Sequence, residues 1–385
     1  MKKHQTGLTM IELMIAIALS VLVINGALAL LLANRSTSNT TAAVSAVADS
    51  GRVAMNFISE SVRSGGYMDC GGPNENKGGL ASYSIYNLLA PGATGIQQNY
   101  AFAFAGFEAV NTNPGAAISL PATVVSLSAP VVADANAGDW SGVGLDPLLL
   151  GTAAAPVTGA VSPGVVKGSD VLVVRESQPQ VNPVYTSAIY NPVSTTVSLF
   201  SVTGVQAGEF AAVSNCGATT IFQIGAVSTI ANTLTTTGAQ TLNGGNLNQQ
   251  FAIGTPITPV NMFAYFVGPG RDGDSSLWVY NELQGSFYEL VPDIENMQVL
   301  YGLASTSPDQ VTQYVTAQNV PNFNSVVSVR VALLAASPVG VAALPVPTVA
   351  TTQSFPIADA TVVVPQDGRL RKIYDTTIGV RSAVL

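Results

Sequence analysis

The longest apolar run in the chain is residues 8–34, LTMIELMIAIALSVLVINGALALLLAN, interrupted by one charged side chain, Glu12. About 20 apolar residues suffice for a helix to cross a bilayer. Lys2, Lys3 and His4 precede the run and would keep its start on the cytoplasmic side. No second run of that length follows, which predicts a single-pass chain with residues 36–385 outside the cytoplasm. The pattern then turns amphipathic. Val44, Val47, Gly51, Ala54, Ile58 and Val62 recur at three- and four-residue spacing, with Arg52, Asn56, Glu60 and Arg63 largely off that stripe. Arg63 falls in the last turn, Gly65-Gly66 supply a C-terminal stop, and the first proline is Pro73. The prediction is one helix over about residues 8–64, about 85 Å long at the usual rise. Ser36–Thr41, poor in helix formers, is where it would fray or bend.

After Gly66 the helical period disappears. Short alternating or β-branched segments bounded by turn residues predict strands at Asp170–Arg175, Thr195–Val202, Thr219–Ile224, Met262–Val267, Ser276–Glu282, Ser286–Leu290, Met297–Leu303, Ser325–Leu334 and Lys372–Val380. Ala116–Ala137 and Gly151–Gly168, rich in Ala, Val, Pro and Gly, read as long surface loops or insertions. The fold class is therefore α+β: a long N-terminal helix packed on an antiparallel β-sheet domain with long loops. The segments are residues 1–7 as a basic lead-in, 8–34 as a membrane-spanning half-helix, 35–64 as an amphipathic half-helix, and 65–385 as a β-rich domain outside the cytoplasm.

Three readings of the N-terminus compete. Lys2-Lys3 and Ala27-Leu28-Ala29 fit a cleaved secretory signal; the apolar run alone fits a plain anchor. Neither accounts for Glu12, because a carboxylate inside an apolar segment is costly and by default has a functional partner. Composition narrows the chemistry. Charged residues are 9% of the chain, histidine occurs once and cysteine twice. One histidine and two cysteines cannot build the usual four-ligand zinc sites, and a histidine-based triad would have to use His4. The net charge of −8 argues against a broadly basic nucleic-acid surface. The expectation is a non-enzymatic protein without cofactors and without a nucleic-acid partner.

The run Lys2-Lys3-His4-Gln5-Thr6-Gly7, followed by Leu8-Thr9-Met10-Ile11-Glu12-Leu13-Met14-Ile15-Ala16, resembles the type III signal of class a type IV prepilins. That resemblance implies cleavage after Gly7 by a prepilin peptidase and methylation of the new terminus at Leu8, where the family usually has phenylalanine. It also implies a register-setting role for Glu12, whose carboxylate would meet a neighbour's N-terminal amine in a filament. Pairing two such charges offsets much of the cost of burying each.

Several strands extend the resemblance. Gly168-Ser-Asp-Val-Leu-Val-Val-Arg175 is similar to a strand of PilW-like minor pilins, and Cys216-Gly-Ala-Thr-Thr-Ile-Phe-Gln-Ile224 to their second-cysteine segment. Tyr265–Gly268, Ser276–Tyr280, Glu289–Gly302, Val326–Arg330 and Asp367–Tyr374 match further hairpins, whereas residues 80–165 and 228–250 do not. The resemblance implies a role in starting type IV pilus assembly and a place at or near the tip. The implied partners are other minor pilins and the major pilin, the assembly platform and a large tip adhesin. It also implies the inner membrane and then the pilus fibre as locations, and twitching motility, attachment and DNA uptake as downstream processes. A type II secretion minor pseudopilin is the nearest alternative, and a membrane-anchored binding protein or glycan hydrolase is one from another class.

Other candidates are weaker. Cys70 and Cys216 would lie where disulfides persist; a bond would close a loop worth at most about 5 kcal/mol, against two buried thiols or a redox pair. Asp272 and Asp274, with a glycine between them, form either part of a calcium loop or a hairpin turn. Asp293 and Glu295 form no preferred hydrolase pair. Arg369, Arg371 and Lys372 are the one basic cluster after the helix and read as a solvated strand edge rather than a DNA or lipid contact.

Overall fold

The computed structural model describes residues 10–67, 84–89, 99–100, 102–110, 112, 114–120, 147–150, 160–178, 182–215, 217–238, 242–271, 273–304, 310–338, 341, 344–349, 351–358 and 360–380. Gly7, Leu8, Cys70, Cys216 and Asp272 lie outside these residues.

The predicted helix is present as α1 (Met10–Ser64), unbroken across its whole length. Ser36–Thr41 neither frays nor interrupts it. The hydroxyls of Thr37, Thr40 and Thr41 donate to the carbonyls of Ala33, Ser36 and Thr37 at 2.9–3.0 Å, so side chains that could compete with the helix instead bond back onto it. The helix stops where the glycines predicted. Gly66 takes a left-handed φ of 76° and donates its N–H to the Arg175 carbonyl at 2.7 Å. The buried stripe comprises Ala43, Val47, Gly51, Ala54, Met55, Ile58, Ser61 and Val62. Val44, predicted on that stripe, is 51% exposed. Ala43 takes its place, because four-residue steps back from Gly51 through Val47 reach 43 rather than 44.

Beyond α1 the described strands are β1 (Ser84–Asn87), β2 (Phe104–Phe107), β3 (Ala117–Ser119), β4 (Val171–Ser177), β5 (Val184–Tyr185), β6 (Thr196–Ser198), β7 (Phe210–Ser214), β8 (Ala218–Gln223), β9 (Val227–Ser228) and β10 (Thr233–Thr235). They continue with β11 (Pro256–Pro269), β12 (Ser275–Asn281), β13 (Ser286–Pro292), β14 (Ile294–Ala304), β15 (Val311–Val315), β16 (Val326–Ala336), β17 (Thr352–Ile357), β18 (Ala360–Pro365) and β19 (Arg371–Gly379). One short helix, α2 (Pro147–Leu150), precedes β4. Every strand predicted from the sequence is present, most within a residue or two of its expected ends. The largest difference is β11, twice the length of Met262–Val267. Its first half pairs with β5 and β7 and its second half with β4 and β12, so one strand spans two neighbourhoods.

The larger sheet runs β1-β8-β7-β11-β12-β13, with β4, β2 and β5 joined at β11 and β4. A second sheet runs β15-β14-β16-β19 and a third β17-β18-β3, while β6, β10 and β9 form a small sheet of their own. The second sheet is a middle layer. Val329, Val331, Leu333 and Ala335 of β16 join the core beneath α1, and the alternating Ala332 and Leu334 face Ile357, Val362 and Val364 of the third sheet. Coverage on both faces is why β16 ends in a continuous apolar run, Val331–Ala336, rather than an alternating one.

Two loop expectations need correction. Ala117–Ser119 is a strand parallel to β18 with Ile118 buried, not surface loop. Residues 160–168 form no strand but are packed, with Val165 buried and Val166 donating to the Val267 carbonyl at 2.8 Å. Three-residue and edge segments such as these leave too little periodicity to be read alone.

Helix and sheet approach closely at Gly51, which lies against the ring of Tyr374 on β19; a methyl group on Gly51 would overlap that ring. Gly51→Ala is expected to displace Tyr374 and cost about 1–3 kcal/mol, read as a lower denaturation midpoint of the full chain in detergent. An unchanged midpoint would contradict this packing.

Candidate assembly surface and the cluster that fastens the sheets

The half of α1 from Met10 to Ala42 buries no side chain, whereas the half from Ala43 to Val62 is built into the core. Among the described residues α1 is the one helix long and apolar enough to span a membrane. Glu12 lies on its exposed first turn. The domain thus supplies an apolar environment for only one half of its helix. The other half is a continuous apolar surface available to lipid or to other helices.

Two polar clusters fix the domain that carries this helix. The first begins at Gly168, which takes a φ of 77°. Its carbonyl accepts from the Asn296 and Gln298 side-chain amides at 2.8 and 3.0 Å. The buried Asp170 carboxylate accepts from the backbone N–H of Ala109 at 3.0 Å and of Val299 at 2.9 Å, and Asp170 N–H donates to Met297 O at 2.9 Å. The segment Gly168-Ser-Asp, noted above for its resemblance, therefore ties β4 to β14 and the first sheet to the second. At the far end of β4, Arg175 is fully buried beside the Tyr100 ring, its charge centre 6.0 Å from the centroid. Burial lowers its pKa to about 10. Tyr100 in turn donates to Glu282 at 2.6 Å.

The second cluster gathers residues that the sequence left scattered. Arg369 and Arg371 are buried, not a solvated strand edge; of the three basic residues only Lys372 is exposed, its ammonium 5.1 Å from the Tyr374 ring centroid. Arg369 pairs with Asp274, with Glu295 at 3.1 Å and with Asp293 at 3.5 Å, and donates to Ser337 O at 2.5 Å. Arg371 grips Glu295 at 2.7 and 2.9 Å and Asp367 at 2.8 Å, the bidentate geometry that guanidinium favours. Asp293 and Glu295 are thus partners of arginines. Asp274 sits in the β11–β12 hairpin turn with its carboxylate toward Arg369. Among the described residues no cluster of acidic, histidine or cysteine side chains is arranged to hold a metal.

The cluster sits where the chain changes sheets. Asp293 is the single residue between β13 and β14, with a left-handed φ of 63°. Four carboxylates surround two guanidiniums, so the carboxylates outnumber the cations by two. Burial first, and then the neighbouring Asp274 carboxylate, push the Asp293 carboxyl up to about 7 against the pull of Arg369. The residues are each visible in the sequence but their meeting is not, since Asp274, Asp293 and Arg369 lie in three separate connections between strands.

A family model described as Type IV Pilus-assembly protein W matches residues 264–382. The match starts in the second half of β11 and ends just past β19. It includes all six residues of the arginine–carboxylate cluster and the whole second sheet. No curated protein and no solved structure matches the chain. The chain is thus similar to this pilus-assembly family over the part that binds the helix, which points to a part in type IV pilus assembly.

The raised Asp293 pKa has a testable sign. A carboxyl held above its ordinary value binds its proton more tightly folded than unfolded. Its contribution is therefore full below about pH 4 and is lost as pH rises through about 7. Asp293→Asn removes the titration, and asparagine tolerates the left-handed φ. The variant's melting temperature should vary less between pH 5 and pH 8 than that of the unaltered chain. At pH 8 it should be the more stable by about 1 kcal/mol or more. Parallel pH profiles would contradict the assignment.

Proposed function

We propose that this chain is a minor pilin that takes part in starting type IV pilus assembly and sits at or near the tip of the filament. The observation that carries the reading is the division of α1. A helix whose apolar half is left bare by its own domain needs neighbours, and the domain beneath its other half is the part matched by the pilus-assembly model. In this reading the chain is made as a single-pass inner-membrane precursor, cut after Gly7 by a prepilin peptidase and methylated on Leu8. It leaves the bilayer when its helix enters a bundle of other pilin helices.

Glu12 sets the axial register in that step. It lies one helical turn from the new terminus, where a neighbour's amine and its carboxylate neutralise each other in an apolar setting. The protein acts by assembly rather than by catalysis, and supports attachment and twitching as part of the fibre. The domain selects its neighbours: other minor pilins, the major pilin and a tip adhesin. A disulfide between Cys70 and Cys216 would tie the segment after the helix to the strand pair β7–β8. A minor pseudopilin of a secretion system remains the second reading, since the same helix division serves it equally.

One intact-mass measurement under non-reducing conditions tests the processing. The expected species begins at a methylated Leu8 and is two hydrogens lighter than its reduced form. A retained leader, or a start after Ala29, would sink the pilin reading; two free thiols would end the disulfide alone. Separately, Glu12→Ala should insert in the membrane as usual yet lower filament number at least about tenfold, consistent with loss of a buried charge pair. Normal piliation would remove the role given to Glu12.

A further inference from the structure

Two buried carboxylates converge on one nitrogen of Arg369. Its Nη2 contacts Asp274 and lies 3.5 Å from Asp293, whose side chains are 6% and 11% exposed. The two acids come from different elements. Asp274 closes the turn between β11 and β12 in the first sheet. Its carbonyl accepts from Gly270 N–H at 2.5 Å and its carboxylate from Ser275 N–H at 2.8 Å. Asp293 is the one residue joining β13 of the first sheet to β14 of the second, and its carbonyl accepts from Ala336 N–H, at the end of β16, at 2.9 Å. The two side chains are within hydrogen-bonding reach of each other. Their contact therefore bridges a turn of the first sheet to the crossing into the second.

The remaining charges around this pair are already engaged. Glu295 on β14 takes Arg369 Nη1 at 3.1 Å and Arg371 Nε at 2.7 Å. Arg371, at the start of β19, also takes Asp367 at 2.8 Å. Arg271, in the same turn as Asp274, points outward and pairs with Glu289 of β13 at 3.5 Å, while Lys372 lies over the Tyr374 ring. Among the described residues Arg369 is thus the one cation in contact with either Asp274 or Asp293. Two carboxylates sharing so small a buried site do not both ionise readily, and a proton held between them turns a repulsion into a hydrogen bond.

We propose that Asp274 and Asp293 form a proton-operated clasp: one shared proton fastens the β11–β12 turn to the crossing between the two sheets, and its loss frees the turn while the strands stay paired. The Asp293 carboxyl is held up at about 7, so the clasp is closed below that pH and opens above it. The turn is built to move. Residues 270–274, Gly-Arg-Asp-Gly-Asp, bring no apolar side chain to the core, and Gly273 takes a φ of 82°. α1 rests on both sheets, against β4 and β13 of the first and β16 and β19 of the second, so the clasp joins the two supports of the helix. The clasp does not depend on the pilin reading.

Amide exchange of the full chain in detergent, corrected for intrinsic rates, tests the clasp at pH 6 and pH 8. Across that interval a carboxyl titrating at about 7 goes from about nine-tenths protonated to about one-tenth. Protection of Gly270, Gly273 and Ser275 should fall about tenfold, while Val329 and Val331 of β16 keep theirs. Asp293→Asn, whose amide donates to Asp274 in place of the proton, should hold the turn equally at both pH values. Asp375→Asn, at the exposed pair with Arg330, should leave the response of the turn as it is in the unaltered chain. Constant protection of the turn in the unaltered chain would overturn the proposal. So would a loss shared equally by β16, which is global unfolding, a loss that persists in Asp293→Asn, or one abolished by Asp375→Asn.

Discussion

A helix that leaves its own domain half-way along must find its second apolar environment elsewhere, and the rest of this molecule is arranged around that need. Residues 43–62 of α1 bury a stripe against two sheets, while residues 10–42 bury nothing. The exposed half is too apolar to face water, so lipid and neighbouring helices are the physical alternatives. The domain holds the packed half rigidly by close approach at Gly51 and Tyr374, and by an exit in which Gly66 is bonded to the end of β4. A bare half-helix continuous with a fixed one passes any force or movement in the bundle to the domain.

The charges explain how such a domain stays together with so few of them. Ten charged side chains, Arg371 among them, are buried among the described residues, in a chain with 14 basic and 22 acidic residues. Six of them sit at junctions: Asp170 with its amide partners between β4 and β14, and Asp274, Asp293, Glu295, Arg369 and Arg371 where β13 passes into β14. Breaking a buried charge pair on one side leaves an uncompensated ion, which is far costlier than losing a surface pair. Scarce charge spent inside leaves an outer surface dominated by Thr, Ser, Asn and Gln.

Most of the local structure was legible in the residues. The helix, its end at Gly65-Gly66, and nine strands follow from period and turn chemistry, because each is long enough to show a repeat. Ten described strands passed unnoticed: β1, β2, β3, β5, β7, β9, β10, β15, β17 and β18. Their two to six residues are too few to show a period, and β1, β2 and β3 become strands only through partners far away in sequence. The arginine cluster was misread for a related reason. Arg369, Arg371 and Lys372 look alike as neighbours in a chain, yet the fold turns two inward onto carboxylates from other strands and leaves Lys372 facing out.

What the sequence by itself determined is the division of the chain: an apolar first half-helix with one glutamate, an amphipathic second half, and a charge-poor β-rich remainder. Period and polarity are properties of neighbouring residues, so they survive without a fold. Which helix face is buried, Ala43 rather than Val44, and which charges go inside were decided only by tertiary structure. Each of these depends on which elements the fold brings together, and that is not a property of neighbouring residues.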